Sequence, residues 1–85
     1  MTARVSIAMA ARILGHKQSE VRFCLEREGW ACGKVATLDG QRDGVVVMED
    51  EQMILHGGIR KRYRVMRVTG KGLDLLSRCL ERHAA

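Results

Sequence analysis

The 85-residue chain contains no proline and only three aromatic residues, Phe23, Trp30 and Tyr63. Without proline, its turns must depend on glycine, of which there are nine. With so few aromatic rings, its core must consist mainly of Val, Ile, Leu, Met and Ala side chains. The length predicts a single domain over residues 1–85 with one hydrophobic core.

Long apolar runs are also missing. No run approaches the roughly 18 residues that a membrane span requires, and the N-terminus does not match a signal peptide. We therefore expect a cytoplasmic protein without a membrane partner.

Cysteine is present in an odd number, as Cys24, Cys32 and Cys79, with wide spacings and no CxxC pair. This argues against a disulfide framework. The spacings of the cysteines and histidines match no common zinc pattern, so we expect neither a metal site nor a cofactor. Cys24 and Cys79 fall on apolar helical stripes, which predicts that they are small buried hydrophobes.

The net charge of +5 is distributed unevenly along the chain. Residues 35–56 are predominantly acidic, whereas residues 57–71 contain six cations and no acid. Such a basic block favours a phosphate-containing partner, most simply double-stranded DNA. The alternative is a solvated strand face that only aids solubility. The six cations are Arg60, Lys61, Arg62, Arg64, Arg67 and Lys71.

Capping signals predict three helices. Ser6 is a typical N-cap, apolar residues follow it at helical spacing, and Gly15 ends the helix. A second helix is predicted over residues 18–28, with Gly29 just beyond its end. Thr69 is predicted to cap a last, leucine-rich helix.

Between these helices the period changes to that of strands. Residues 34–38, 44–48, 52–55 and 59–68 are strand-like, with breaks at Asp39-Gly40, at residues 49–51 and at Gly57-Gly58. We predict a hairpin over residues 52–68 with its tip near 56–59. Residues 44–54 fit no single period, so part of them could form a short helix. The fold class is therefore α+β.

The first two helices match a helix-turn-helix. The motif needs a small residue in its first helix, a tight turn and an apolar stripe in its second helix, which Ala11, Gly15 and Val21 provide. In this interpretation the second helix enters the major groove. The residues facing DNA would be Lys17, Gln18, Ser19, Arg22, Phe23 and Arg27. The alternative is an ordinary exposed helix face, and the acids Glu20, Glu26 and Glu28 would repel phosphate.

The predicted hairpin would form the wing of a small winged helix-turn-helix with a C-terminal helix. Arg60, Arg62 and Arg64 alternate along one strand face, while Tyr63 and Val65 fall on the other. Guanidinium groups suit phosphate geometry or a minor groove. The wing residues predicted to bind DNA are Arg60, Lys61, Arg62, Arg64 and Arg67.

Three segments resemble one known family. VSIAMAARILG (5–15), LEREGW (25–30) and VTGKGLDLL (68–76) occur in the order seen in the C-terminal, KilA-C-type domain of phage antirepressor proteins. The resemblance implies a winged-helix-like fold of phage or prophage origin and a role in regulating phage genes. It implies that Gln18, Ser19, Arg22 and the wing arginines face DNA.

The family's domain usually follows a separate N-terminal domain, and residues 34–56 carry no clear family motif. We therefore expect a stand-alone DNA-binding transcriptional regulator, with a homodimer as one option. The alternative is an antirepressor or inhibitor that binds a phage or host regulatory protein through an acidic surface at residues 39–51. We do not expect an enzyme, because the chain has no phosphate-binding loop, no paired carboxylates and no nucleophile with an evident base.

Overall fold

A computed structural model describes residues 4–83, with side chains up to Arg82. This part of the chain forms a small α+β fold with four helices and two antiparallel hairpins. In chain order the elements are α1 (Ile7–Leu14), α2 (Gln18–Arg27), β1 (Ala31–Cys32), β2 (Val35–Ala36), α3 (Leu38–Arg42), β3 (Val46–Ile54), β4 (Arg60–Val68) and α4 (Gly70–His83).

The helix pair α1–α2 begins and ends where the capping residues predicted. The Ser6 hydroxyl accepts the backbone N–H of Met9 at 3.2 Å, and Gly15 ends α1 with a φ of 73°. That left-handed conformation favours glycine. Ala10 and Ala11 are fully buried, and their small side chains let the two helices approach closely.

The predicted cap of α4 is also confirmed. The Thr69 hydroxyl accepts the backbone N–H of Gly72 at 2.9 Å and donates to the carbonyl of Gly44 at 2.5 Å. It therefore caps the helix and ties its start to the segment before β3. A Cβ added to Gly72 would lie 2.1 Å from the carbonyl oxygen of Val45, so only glycine permits this approach.

Between α2 and β3 the structure differs from the predicted strand over residues 34–38. The chain instead makes a tight hairpin from β1 and β2, reversing at Gly33 with a φ of 62°. Thr37 then caps α3 by accepting the N–H of Gly40 at 3.0 Å. The predicted turn at Asp39-Gly40 is thus helical, because the threonine cap begins a helix just before it.

The second correction concerns residues 44–54, where the short helix that was left open does not form. Strand β3 runs unbroken and pairs with β4 from Val46↔Val68 to Ile54↔Arg60. The tip falls where predicted, at two glycines with φ values of 86° and 80°. On the other edge of β4, Val5 and Val68 exchange two backbone hydrogen bonds of 2.9 and 2.8 Å.

The core joins α1, α2 and α4 to the inner end of the β3–β4 hairpin. Val21, Leu25 and Leu76 are fully buried, with Trp30 and Leu73 packed half-buried against them. Two cysteines are buried in the same core, as their helical positions predicted. They are Cys24 and Cys79.

Burial, followed by the neighbouring Cys24 thiol, raises the pKa of Cys79 to about 12. The Cys79 thiol therefore stays protonated near neutral pH, in keeping with a role in packing.

Candidate nucleic-acid interface

Helix α2 has one buried stripe and one exposed face. Val21, Cys24 and Leu25 face the core. The six residues of this segment that were predicted to face DNA are all exposed to solvent. They are Lys17, Gln18, Ser19, Arg22, Phe23 and Arg27.

The acids of α2 all contact partners at the ends of the helix. The Glu20 carboxylate lies 3.0 Å from Nδ1 of His16 and accepts the backbone N–H of Lys17 at 3.2 Å. These two hydrogen bonds, the one to His16 first, lower the pKa of Glu20. Glu26 accepts the N–H of Gly33 at 3.2 Å.

The third acid, Glu28, pairs with Arg82 of α4 at 3.3 Å. Of the three acids, Glu28 pairs with an arginine, whereas Glu20 and Glu26 contact a histidine ring and backbone N–H groups.

The long hairpin β3–β4 places its arginines as the sequence pattern predicted. Arg60, Arg62 and Arg64 share one face, and Tyr63 lies on the other. The side chains of Arg60 and Arg62 form no ion pair within residues 4–82. Arg64 contacts the Asp50 carboxylate at 3.5 Å, but both groups are exposed and such a pair contributes little.

Arg67 lies on the opposite face of the hairpin from those three arginines. It is half-buried and pairs with Glu49 at 3.7 Å and with Glu51. The Tyr63 hydroxyl donates to Glu51 at 3.1 Å, and Arg4 pairs with Glu49 at 3.3 Å. Arg67 thus belongs to a network that joins the two strands. Lys61 shares the face of Arg67 but is exposed to solvent, near the tip.

A cleft of about 330 Å³ lies between α2 and the long hairpin. Three cations from separate elements line it: Arg22 of α2, Lys34 of the turn between β1 and β2, and Arg64 of β4. The lining contains these three cations and no carboxylate, although Arg64 also contacts the exposed Asp50 carboxylate at 3.5 Å. The remaining lining residues are Ile7, Gly33, Tyr63, Val65 and Met66.

Lys34 is the functional candidate that sequence reasoning missed. The pattern placed it at the start of a strand rather than in a turn, so nothing connected it to α2 or to the hairpin. The signal that could have placed it is Gly33, whose positive φ turns the chain back toward β4.

A second cleft, of about 560 Å³, lies between the end of α2 and α4 and differs in charge. It combines two glutamates, Glu28 and Glu81, with two arginines, Arg78 and Arg82. The charges of these four groups cancel, so this cleft offers no comparable attraction to a phosphate.

The acidic segment 39–51 is not the single free surface that the sequence suggested. Asp39 lies on α3 and pairs with Arg42 at 3.5 Å, and Asp43 accepts the indole N–H of Trp30 at 3.3 Å. The other three acids lie on β3 and pair across the hairpin. Four of the five acids therefore pair with an arginine and Asp43 accepts an N–H group, but the pairs of Asp39 and Asp50 are exposed to solvent.

Comparison with protein-family models, with curated proteins and with solved structures found no match to this chain. Among the described residues, no helix is long and apolar enough to cross a membrane. The same residues contain no group of three or more His, Cys, Asp or Glu side chains arranged to hold a metal ion.

Proposed function

We propose that this protein binds double-stranded DNA as a small winged helix-turn-helix transcriptional regulator of phage or prophage type. Helix α2 enters the major groove, and the β3–β4 hairpin serves as a wing against the phosphate backbone. The observation that carries the proposal is the cleft in which Arg22, Lys34 and Arg64 converge from three elements without a carboxylate.

Electrostatics supports a polyanionic ligand for this cleft. Three cations that line one cleft attract a polyanion from solution, and a bound phosphate would reduce the repulsion between them. The arginine face of the hairpin extends the same surface through Arg62 and Arg60. A phosphate backbone provides evenly spaced charges to match such a row, and guanidinium groups bind phosphate oxygens in a bidentate manner.

The exposed start of α2 supports base recognition. Gln18, Ser19 and Arg22 lie in its first two turns, where the second helix of a helix-turn-helix contacts base edges. Gln and Arg can bind adenine and guanine edges with two hydrogen bonds each. The three short segments that resemble KilA-C-type domains favour a role in regulating phage genes. A phage or host regulatory protein is a second partner compatible with that role.

Salt dependence of binding to a random-sequence duplex tests the electrostatic part of the proposal. If Arg22 and Arg64 each contact a phosphate, the double variant R22A/R64A should make the slope of log affinity against log salt shallower by roughly 1.8, at about 0.9 per contact. The matched control is Arg78→Ala, which removes an exposed arginine of α4 in the charge-balanced cleft. Equal slopes for the double variant and the parent would show that this cleft is not part of the DNA interface.

Sequence preference tests the role of α2. A DNA sequence selected from a random pool is compared with its scrambled version for the parent and for Gln18→Ala. Loss of a bidentate base contact should reduce discrimination by about 1–3 kcal/mol and leave binding to the scrambled duplex nearly unchanged. Equal losses on both duplexes would show that Gln18 contacts only the backbone.

A further inference from the structure

The outer end of the long hairpin exposes an unusual amount of apolar surface. Every residue from 52 to 62 is exposed. Four of them are large apolar residues: Met53 at 48%, Ile54 at 73%, Leu55 at 39% and Ile59 at 65% exposure. We call residues 52–62 the hairpin tip. Grouped apolar side chains in water are unfavourable, and such a patch typically marks a contact surface.

The strand register places these apolar side chains beside the cations of the tip. Ile54 pairs with Arg60, and Met53 pairs with Lys61. The backbone N–H of Leu55 donates to the carbonyl of Ile59 at 2.7 Å, which holds those two residues opposite each other at the closed end. The tip is therefore a narrow ribbon whose end is apolar and whose flanks are basic.

Charge limits what can cover this tip. Residues 52–62 contain Arg60, Lys61 and Arg62 and no acid. Tip-to-tip contact between two copies would bring six cations together, which disfavours self-association. The suitable partner is a polyanion that also offers apolar surface between its charges. In duplex DNA, the stacked bases lie between two rows of phosphates and meet this requirement.

The position of the tip favours DNA over an anionic lipid surface, which would offer similar chemistry. The arginine face runs from Arg60 through Arg62 to Arg64, and Arg64 lines the cleft that also contains Arg22. One continuous basic surface thus connects the tip to α2, and a long, narrow polyanion could follow it.

We propose that the hairpin tip enters the minor groove and wedges Leu55 and Ile59, which lie opposite each other at its closed end, against a base step, while Arg60, Lys61 and Arg62 bind the flanking phosphates. This inference rests on the proposed function. Apolar wedges of this kind partly unstack a base step and kink the duplex toward the major groove by roughly 20–90°. The protein should therefore bend its DNA rather than only bind it.

The test compares the parent with the double variant L55S/I59S on a short duplex of the selected sequence. Fluorescence energy transfer between labelled duplex ends reports bending, and 2-aminopurine in the minor-groove segment reports unstacking. The parent should shorten the end-to-end distance and raise 2-aminopurine fluorescence. The variant should lose both signals and bind roughly tenfold more weakly. Its salt slope should be unchanged, because the phosphate contacts remain.

Leu38→Ser is the matched control, because Leu38 is 79% exposed on α3, away from the tip. It should bend DNA as the parent does. Melting curves check that the fold is retained. Ile59 belongs to the turn that connects β3 to β4. The single variant Ile59→Ser repeats the test with a smaller change.

The outcomes separate this inference from the proposed function. If the parent binds DNA without bending it, or the double variant bends it equally well, the wedge is wrong and DNA binding stands. If the parent binds no duplex at any salt concentration, both proposals fail. Phosphatidylserine-containing vesicles provide a third outcome. Vesicle binding that the double variant loses, together with unchanged DNA bending, would assign the tip to membranes and overturn the wedge.

Discussion

The inner and outer halves of the β3–β4 hairpin belong to one strand ladder but differ in burial and in their contacts with the rest of the fold. At the inner end, Val46, Met66 and Val68 are buried, and Val5 and Thr69 attach that end to the rest of the fold. At the outer end, residues 52–62 are all exposed. The backbone pairing is continuous across both halves, with nine residue pairs.

This difference separates the part of the hairpin that stabilises the fold from the part that is free to bind. An isolated two-stranded ribbon is only marginally stable in water, so the outer half depends on the buried inner half to keep its shape. Substitutions in the core should therefore cost the protein its fold, whereas substitutions in the outer half should change binding and leave the fold intact. Four predictions test this contrast.

The largest effect is expected in the core against which the inner half packs. Leu76→Ala removes a fully buried side chain of α4 and should lower the free energy of unfolding by about 2–5 kcal/mol. For a domain of this size, each 1 kcal/mol lowers the melting temperature by about 4–8 °C. Thermal melting followed by circular dichroism measures this shift. A melting temperature within 2 °C of the parent, on the order of half a kcal/mol, would place Leu76 outside the core.

A glycine at the inner end should give the next largest effect. The Cβ of Gly72→Ala would lie 2.1 Å from the carbonyl oxygen of Val45, so α4 must shift away from the start of β3. Overpacking of this kind costs about 1–3 kcal/mol, and sometimes more. Chemical denaturation gives the value directly. Unchanged stability in this variant would mean that the approach of α4 to Val45 is looser than described.

A glycine at the outer end provides the counterpart. Gly57→Ala introduces a Cβ into open space, so the only penalty is the φ of 86°, worth about 1 kcal/mol. The same denaturation experiment should therefore rank Gly57→Ala below Gly72→Ala in cost. The reverse order would show that the tip contributes more to stability than its exposure suggests.

The smallest effect on stability is expected for Arg62→Ala. Its side chain is exposed and forms no ion pair within residues 4–82, so the free energy of unfolding should change by less than about 0.5 kcal/mol. Affinity for duplex DNA should nevertheless fall, and the salt slope should become shallower by about 0.9. Melting and titration of the same preparation measure both quantities. A variant that melts much lower, yet binds DNA normally, would reverse the contrast between the two halves.

Local signals allowed much of this fold to be predicted. Ser6 and Thr69 cap helices through their own hydroxyl groups, and Gly15 and the glycine pair at the tip adopt the positive φ that their positions required. The alternation of Arg60, Arg62 and Arg64 followed directly from the period of a strand. Such features depend on residues a few positions apart, so the sequence contains them explicitly.

Other features depend on contacts between distant residues, and only the tertiary structure decided them. Glu49, Asp50 and Glu51 were predicted to be a break, yet they continue β3. Asp50 lies opposite Arg64 in the ladder, and the side chain of Arg67 on the same neighbouring strand contacts Glu49 and Glu51. Those cross-strand cations neutralise a charge run that would otherwise disfavour a strand.

The site follows the same division. The exposed cations of α2 and of the hairpin could be predicted, because helical and strand periods assign each residue to a face. Only the tertiary structure brought Arg22, Lys34 and Arg64 into one cleft and placed Arg67 on the opposite face among acids. Distances between elements depend on how the core packs, and no local pattern encodes that packing.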